Sequence, residues 1–157
     1  MARIGEPQDV VLPALSLVGV RRDVPFADMP NGAVGALFSE LSAALSAAGY
    51  RFWAPEIALY RAGEDVMHCF VGAELSGVID GLTRLEVPAT PGVSARHIMS
   101  IPEFGDAHIA LHEMILARGL TMGSWAREVY RGLKNDTEEF EVDIQLEIAG
   151  EAPHQEG

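Results

Sequence analysis

The residues best suited to chemistry stand in a short strand-like run, Arg127-Glu128-Val129-Tyr130. Period-two geometry puts Glu128 and Tyr130 on one face of such a strand, a carboxylate beside a phenol. A similar run, Glu56-Ile57-Ala58-Leu59-Tyr60-Arg61, occurs roughly 70 residues earlier, and there Glu56, Ala58 and Tyr60 share a face. Each run follows a tryptophan, Trp53 in the first and Trp125 in the second. A carboxylate held among aromatic rings suits a lipophilic cation, because the charge pairs with the carboxylate and the ring faces attract it further. A neutral flat molecule would stack but strand the carboxylate, at about 1 to 3 kcal/mol or more for an unsatisfied buried group. The same carboxylate can act as a general base towards water, so binding and hydrolysis look alike in sequence. The candidate ligand-binding set is therefore Glu128, Tyr130, Trp125, Glu56, Tyr60 and Trp53, with Glu128 the catalytic residue if the chain is a hydrolase. A plainer arrangement stands beside it: Tyr60 and Tyr130 pack in the core, Glu56 and Glu128 face water or pair with Arg61 and Arg131, and the tryptophans plug the core.

Other constellations carry less. His108 and His112 stand four apart on a predicted helix and Glu113 follows, but the order is not a zinc-protease pattern, and only His97 or Asp106 could add a third ligand. Surface histidines and no metal are expected. No glycine-rich turn links a strand to a helix in a nucleotide-binding pattern, so no cofactor is expected. No Ser, His and Asp set can be placed, and His68 and Cys69 receive no role.

Composition narrows the partners. Eleven basic against 23 acidic side chains give a formal charge of -12, which repels phosphate backbones and anionic membrane surfaces and attracts cations. Direct nucleic-acid binding and membrane association are not expected; a homodimer is compatible with the sequence. The single cysteine, Cys69, has no disulfide partner within the chain, which points to a reducing compartment such as the cytoplasm. The apolar run Val10 to Val20 is interrupted by Pro13, flanked by charges and too short to span a bilayer, so it reads as a buried strand and not a signal segment.

The elements that must position these residues follow from periodicity. Val10 to Arg22 reads as one long strand, bent at Pro13 and bulged at Gly19. Val34, Leu37, Phe38, Leu41, Leu45 and Ala48 recur at helical spacing, which predicts a helix over 31–48 capped by Asn31 and ended by Gly49. A turn at 61–65 separates strands Glu56 to Arg61 and Val66 to Leu75 as in a hairpin. Leu82 to Val87 and Val93 to Ile101 read as strands parted by Pro88 and Pro91-Gly92. A second helix is predicted from an Asp106 cap to Arg118, with Leu111, Met114 and Ile115 buried and Gly119 ending it. Trp125 to Arg131 then leads through a polar turn, 133–138, into Glu139 to Ile148. There Phe140, Val142, Ile144, Leu146 and Ile148 alternate with Glu141, Asp143, Gln145 and Glu147, which predicts one face on the core and an acidic face in water, open to a basic protein partner. Residues 1–8 and 149–157 read as frayed ends.

The order strand, helix, strand, strand thus occurs twice, as repeats of about 9–75 and 82–148 within one domain. The fold class is α+β, a duplicated βαββ unit with mostly antiparallel sheet, two main helices on one face, and a small-molecule cleft expected between the copies. The strand Arg127-Glu128-Val129-Tyr130, preceded by a helix, Gly119 and Trp125 and followed by the alternating strand, resembles the GyrI-like effector-binding domain, the AraC-type small-molecule-binding family with SHS2-like repeats. The resemblance covers element order from about Val10 to Ile148, and Glu-x-Tyr is its specific motif. It implies a cleft in which Glu128, with Tyr130 beside it, meets cationic, lipophilic aromatic compounds, as in multidrug-responsive regulators and free-standing binding proteins. It also implies an alternative, because some members resemble metal-independent hydrolases that open strained cyclopropane rings in genotoxic compounds. Family regulators carry a separate helix-turn-helix domain, for which these 157 residues leave no room. Sequestration or sensing of an organic cation is the function expected.

Overall fold

The computed structural model describes residues 3–53, 55–99, 104–133 and 140–151. In chain order the elements are β1 (Arg3–Ile4), β2 (Gln8–Leu12), β3 (Leu15–Pro25), a 3-10 turn (Phe26–Asn31), α1 (Ala33–Ala47), β4 (Glu56–Ala62), β5 (Val66–Ala73), β6 (Thr83–Val87), β7 (Thr90–Met99), α2 (Phe104–Ala117), β8 (Leu120–Leu133) and β9 (Phe140–Glu151). They fall into two compact units, a central one, Ala14–Pro88, and a split one that joins Met1–Pro13 to Ala89–Gly157. The chain is α+β, and the strand pairs within each unit are antiparallel.

Both units repeat one topology. In the central unit β3 pairs with β5 and β5 with β4, around helix α1; in the split unit β7 pairs with β9 and β9 with β8, around α2. Each is a βαββ motif whose first strand pairs with its third. The expected long strand across Pro13 is in fact two, and they belong to different units: β2 pairs with β7, whereas β3 pairs with β5 and β6. Proline stands at both crossings, Pro13 and Pro88, where its missing N–H would break a central ladder. Residues 9–13 therefore join the second copy, and 82–88 the first.

In the central unit, Leu37, Leu41 and Leu45 of α1 are buried, whereas Ala48, expected on the same stripe, is exposed. Burying each leucine contributes roughly 1.5 to 3 kcal/mol. The helix begins at Ala33 behind Gly32, with φ 81°, after the 3-10 turn takes up Asn31, so the cap expected at the asparagine is displaced by one residue. It ends as expected at Gly49, whose φ of 95° lets its N–H reach the Ser46 carbonyl while the Tyr50 N–H reaches Leu45. These are the paired bonds of a Schellman ending. Gly19 is not a bulge: it sits in register opposite Gly72, and a Cβ there would lie 2.1 Å from the Val71 oxygen. The glycine permits close approach of two backbones.

In the split unit, α2 starts at Phe104, so Asp106 lies in its first turn and not at the cap; Gly119, φ 72°, follows its end. Ala107, Leu111 and Ile115 bury against Val93, Val142, Ile144, Leu146 and Ile148, with Met114 partly buried beside them. The segment Pro91-Gly92 lies inside β7, with Pro91 opposite Val11 and Gly92 in a gap that a Cβ could not share with the Leu12 side chain. The N-terminal residues expected to fray are strand: Arg3 and Ile4 pair with Ile98 and His97, and β2 starts at Gln8. Strand β9 runs to Glu151; residues 152–157 and the turn expected at 133–138, apart from Leu133 itself, lie outside the described residues.

The largest departure from expectation is the polar face of β9. Asp143, Gln145 and Glu147 are buried, not wet. The sheet itself supplies their partners. Arg127, fully buried, donates to Glu147 Oε2 from Nε (3.1 Å) and Nη2 (2.8 Å), and to the Pro13 carbonyl from Nη1 (2.7 Å). The Trp125 backbone N–H donates to the other Glu147 oxygen. Arg96 and Arg131 both grip Asp143, at 2.6 Å and 2.8 Å at closest. Burial pushes the Asp143 carboxyl up, but these guanidinium bonds outweigh it and hold it below its ordinary value. An acidic docking face for a basic protein is thus not formed by these residues.

Candidate functional site

The site is built on the face of β8 that α2 covers. Ala126 and Tyr130 pack against the α2 core, and strand alternation puts Glu128 between them. Glu128 is 4% exposed. Its Oε1 accepts the Tyr130 O–H at 2.5 Å, and its Oε2 lies 2.7 Å from His108 Nε2. The phenol is two residues along the same strand, whereas the imidazole reaches across from the helix. Two groups from different elements thus hold the two carboxylate oxygens, and donors to a charged acceptor make the stronger class of hydrogen bond.

His108 was expected on the surface. It is turned inward because it shares the buried stripe of α2: His108, Leu111 and Ile115 follow at i, i+3 and i+7. That spacing was visible in sequence and was overshadowed by the pair His108 and His112. His112 is exposed. Among the described residues no group of three or more His, Cys, Asp or Glu is placed to hold a metal ion.

His97 extends the cluster from β7. It pairs with Val142 in register and so faces α2, and it is 3% exposed. Its Nδ1 accepts the Gly5 N–H at 3.3 Å, which leaves the proton of the neutral ring on Nε2. Among the described residues, His97 Nε2 and Glu56 Oε2 are the buried side-chain atoms with no hydrogen-bond partner. Burial, and then the neighbouring charge of His108, depress the His97 imidazole below its ordinary value, against the pull of Asp143.

His108 also lines a shallow surface hollow of about 310 Å³ with Ile109, His112 and Glu113. Its side chain is 24% exposed against 5% for Glu128. The imidazole therefore touches both the hollow and the carboxylate.

Other candidate residues lie elsewhere. Trp125 is buried, and alternation puts it with Arg127 on the opposite face of β8 from Glu128. Arg131 pairs with Asp143 and belongs to that same opposite face. Glu56, Tyr60 and Trp53 are in the central unit, all partly buried. Arg22 bonds Glu40 of α1, and the register Arg22, Cys69, Tyr60 places Glu56, Ala58 and Tyr60 on the face that α1 covers. Burial raises the Glu56 carboxyl above its ordinary value. Cys69 is buried, and His68 bonds Asp23 at 2.6 Å.

No family model and no curated protein matches the sequence. Solved structures do. The C-terminal domain of EcmrR matches with a TM-score of 0.74 at 18% identity, over 93% of this chain and 98% of that one. SAV2435 bound to tetraphenylphosphonium matches with a TM-score of 0.72 at 14% identity, over 92% and 94%. A hydrolase from Listeria innocua matches with a TM-score of 0.55 at 11% identity, over 92% of each chain. At these identities the likeness is one of fold, and at that level it agrees with the resemblance to GyrI-like effector-binding domains. No helix among the described residues is long and apolar enough to cross a membrane.

Proposed function

We propose that the chain binds small lipophilic organic cations, for sequestration or sensing, with Glu128 as the counter-charge and Tyr130 as the group that orients it. The observation that carries this reading is the buried Glu128 carboxylate, held by a phenol and an imidazole. A carboxylate in such surroundings gains more from a desolvated cation than from any neutral ligand. The tetraphenylphosphonium complex of a similar fold gives the ligand chemistry to try first. Glu56 and Tyr60, four residues apart on one face of β4, are candidates for the same class of ligand in the central unit. The chain's formal charge of -12 favours encounter with cations.

Isothermal titration with tetraphenylphosphonium tests the reading. Glu128→Gln should weaken binding at least tenfold, about 1.4 kcal/mol. Equal affinity in the variant would remove Glu128 from the site.

A second reading, metal-independent hydrolysis, is favoured by one observation: the contact of His108 with Glu128 joins a proton acceptor to a group that can store or return the proton. The substrate class would be strained cyclopropane-bearing alkylators. Ring-opened product that disappears in Glu128→Gln would establish it, and intact compound with saturable binding would leave a binding protein.

A further inference from the structure

We propose that His108 is a resident counter-charge for Glu128, so that an incoming cation must compete with the proton its imidazole carries. The inference rests on the cation-binding reading of Glu128 and adds to it a chemical filter on which cations enter.

Three observations lead to it. First, the imidazole already occupies Glu128 Oε2 at 2.7 Å, the geometry of an ion pair when the ring is protonated. Second, His108 is the member of the cluster that also borders the surface hollow, so a ligand approaching from there meets the ring before the carboxylate. Third, the cluster disfavours added positive charge: desolvation, and then the charge of His108, depress the buried His97 imidazole below its ordinary value, against the pull of Asp143.

Among the described residues, three elements present groups to His108. Strand β8 presents Glu128 and Tyr130, and β7 presents His97. The β9 positions beneath α2 are Val142, Ile144, Leu146 and Ile148, which do not titrate. On α2 itself His112 and Glu113 share the hollow. With His108 protonated, the carboxylate is neutralised and a second cation gains little while meeting like-charge repulsion. With His108 neutral, the ring still donates one N–H to Glu128 but leaves it a net negative charge for a ligand to pair with.

A consequence for ligand class follows. Imidazoles change charge between about pH 5 and 8. A weakly basic amine sheds its own proton over that same range, so it is uncharged under the conditions that favour a neutral imidazole. Permanent cations, quaternary phosphonium or ammonium, and strongly basic amidines keep their charge when the site opens. The filter thus selects permanent or strongly basic lipophilic cations over weak bases of equal size.

The experiment is a titration of the full chain with tetraphenylphosphonium, which does not itself titrate. Binding is measured between about pH 5.5 and about pH 8 and in two buffers of different ionisation enthalpy. Wild type should bind at least tenfold more tightly at the upper pH and release protons, up to about one per cation, near the middle of that range. His108→Gln, which keeps a donor of similar reach, should change affinity less than about twofold over the same range and release none. Proton release in the unmodified protein needs no variant, so a poorly folded His108→Gln would not spare the proposal. Binding without proton release, or with the same slope in both proteins, overturns the inference while leaving the cation reading intact. No binding by either protein at any pH overturns both.

Discussion

Strands β4 and β8 are the second strands of two βαββ units with one topology, and counted back from their tyrosines they differ at the two positions that matter. Beside Tyr130 stands Glu128, where β4 carries Ala58 beside Tyr60; before those stand Arg127 and Ile57. Ala58 and Ile57 are buried, apolar and need no partners. Glu128 and Arg127 are as deeply buried and each requires an answering group, which α2 supplies as His108 and β9 as Glu147. The helices match this division: the stripe His108, Leu111, Ile115 of α2 has the spacing of Val34, Leu37, Leu41 in α1. The backbone plan therefore does not impose the chemistry. One unit uses it to pack an apolar core, and the other spends the same positions on two pairs of polar contacts, one on each face of a strand.

The comparison can be broken by making β8 resemble β4. Arg127→Ile leaves Glu147 buried without its guanidinium, and the loss of stability should be the largest of any change here, about 3 to 5 kcal/mol. Urea unfolding checks it; a loss under about 1 kcal/mol would mean that Glu147 finds other partners. Smaller effects sharpen the contrast from the β4 side. Glu56 carries a buried oxygen without a partner and a raised carboxyl value, so its folded form holds a proton more tightly than its unfolded form. The stability it contributes is fully present only in acid and is lost as pH rises through the folded value. Glu56→Gln should raise Tm by a few degrees near neutral pH, with the gain vanishing as pH falls into the carboxyl range. A uniform gain at all pH values would contradict it. The smallest effect belongs to His97, whose value is depressed. Its contribution is present above the ordinary imidazole value, about 6.5, and is lost as pH falls below that. Wild-type Tm should decline modestly on acidification through that window, and His97→Gln should flatten the decline.

Much of this was legible from residues alone. The order of elements, the α+β class, the double βαββ plan and the helix-ending glycines 49 and 119 follow from periodicity and backbone sterics. The adjacency of Glu128 and Tyr130 follows from period two. What escaped depended on partners distant in sequence. Alternation along β9 separates two faces but does not say whether the polar one meets water or the arginines of neighbouring strands, and Arg96, Arg127 and Arg131 turn it inward. His108 reaches Glu128 from another element, and only its spacing to Leu111 and Ile115 hinted at it. The strand at residues 3–4, and the pairing of β2 with β7 instead of its continuation into β3, rest on backbone groups that leave little mark on side-chain pattern.

The interleaving of the split unit has a temporal consequence. Strands β1 and β2 pair with β7, Asp9 bonds Arg118 and the Pro13 carbonyl bonds Arg127, and each of these partners lies beyond Pro88. During synthesis the central unit is complete once residue 88 has left the ribosome, whereas β1 and β2 must wait for β7 to follow. Nascent chains arrested shortly after that point should resist protease across 14–88 and be cut before it.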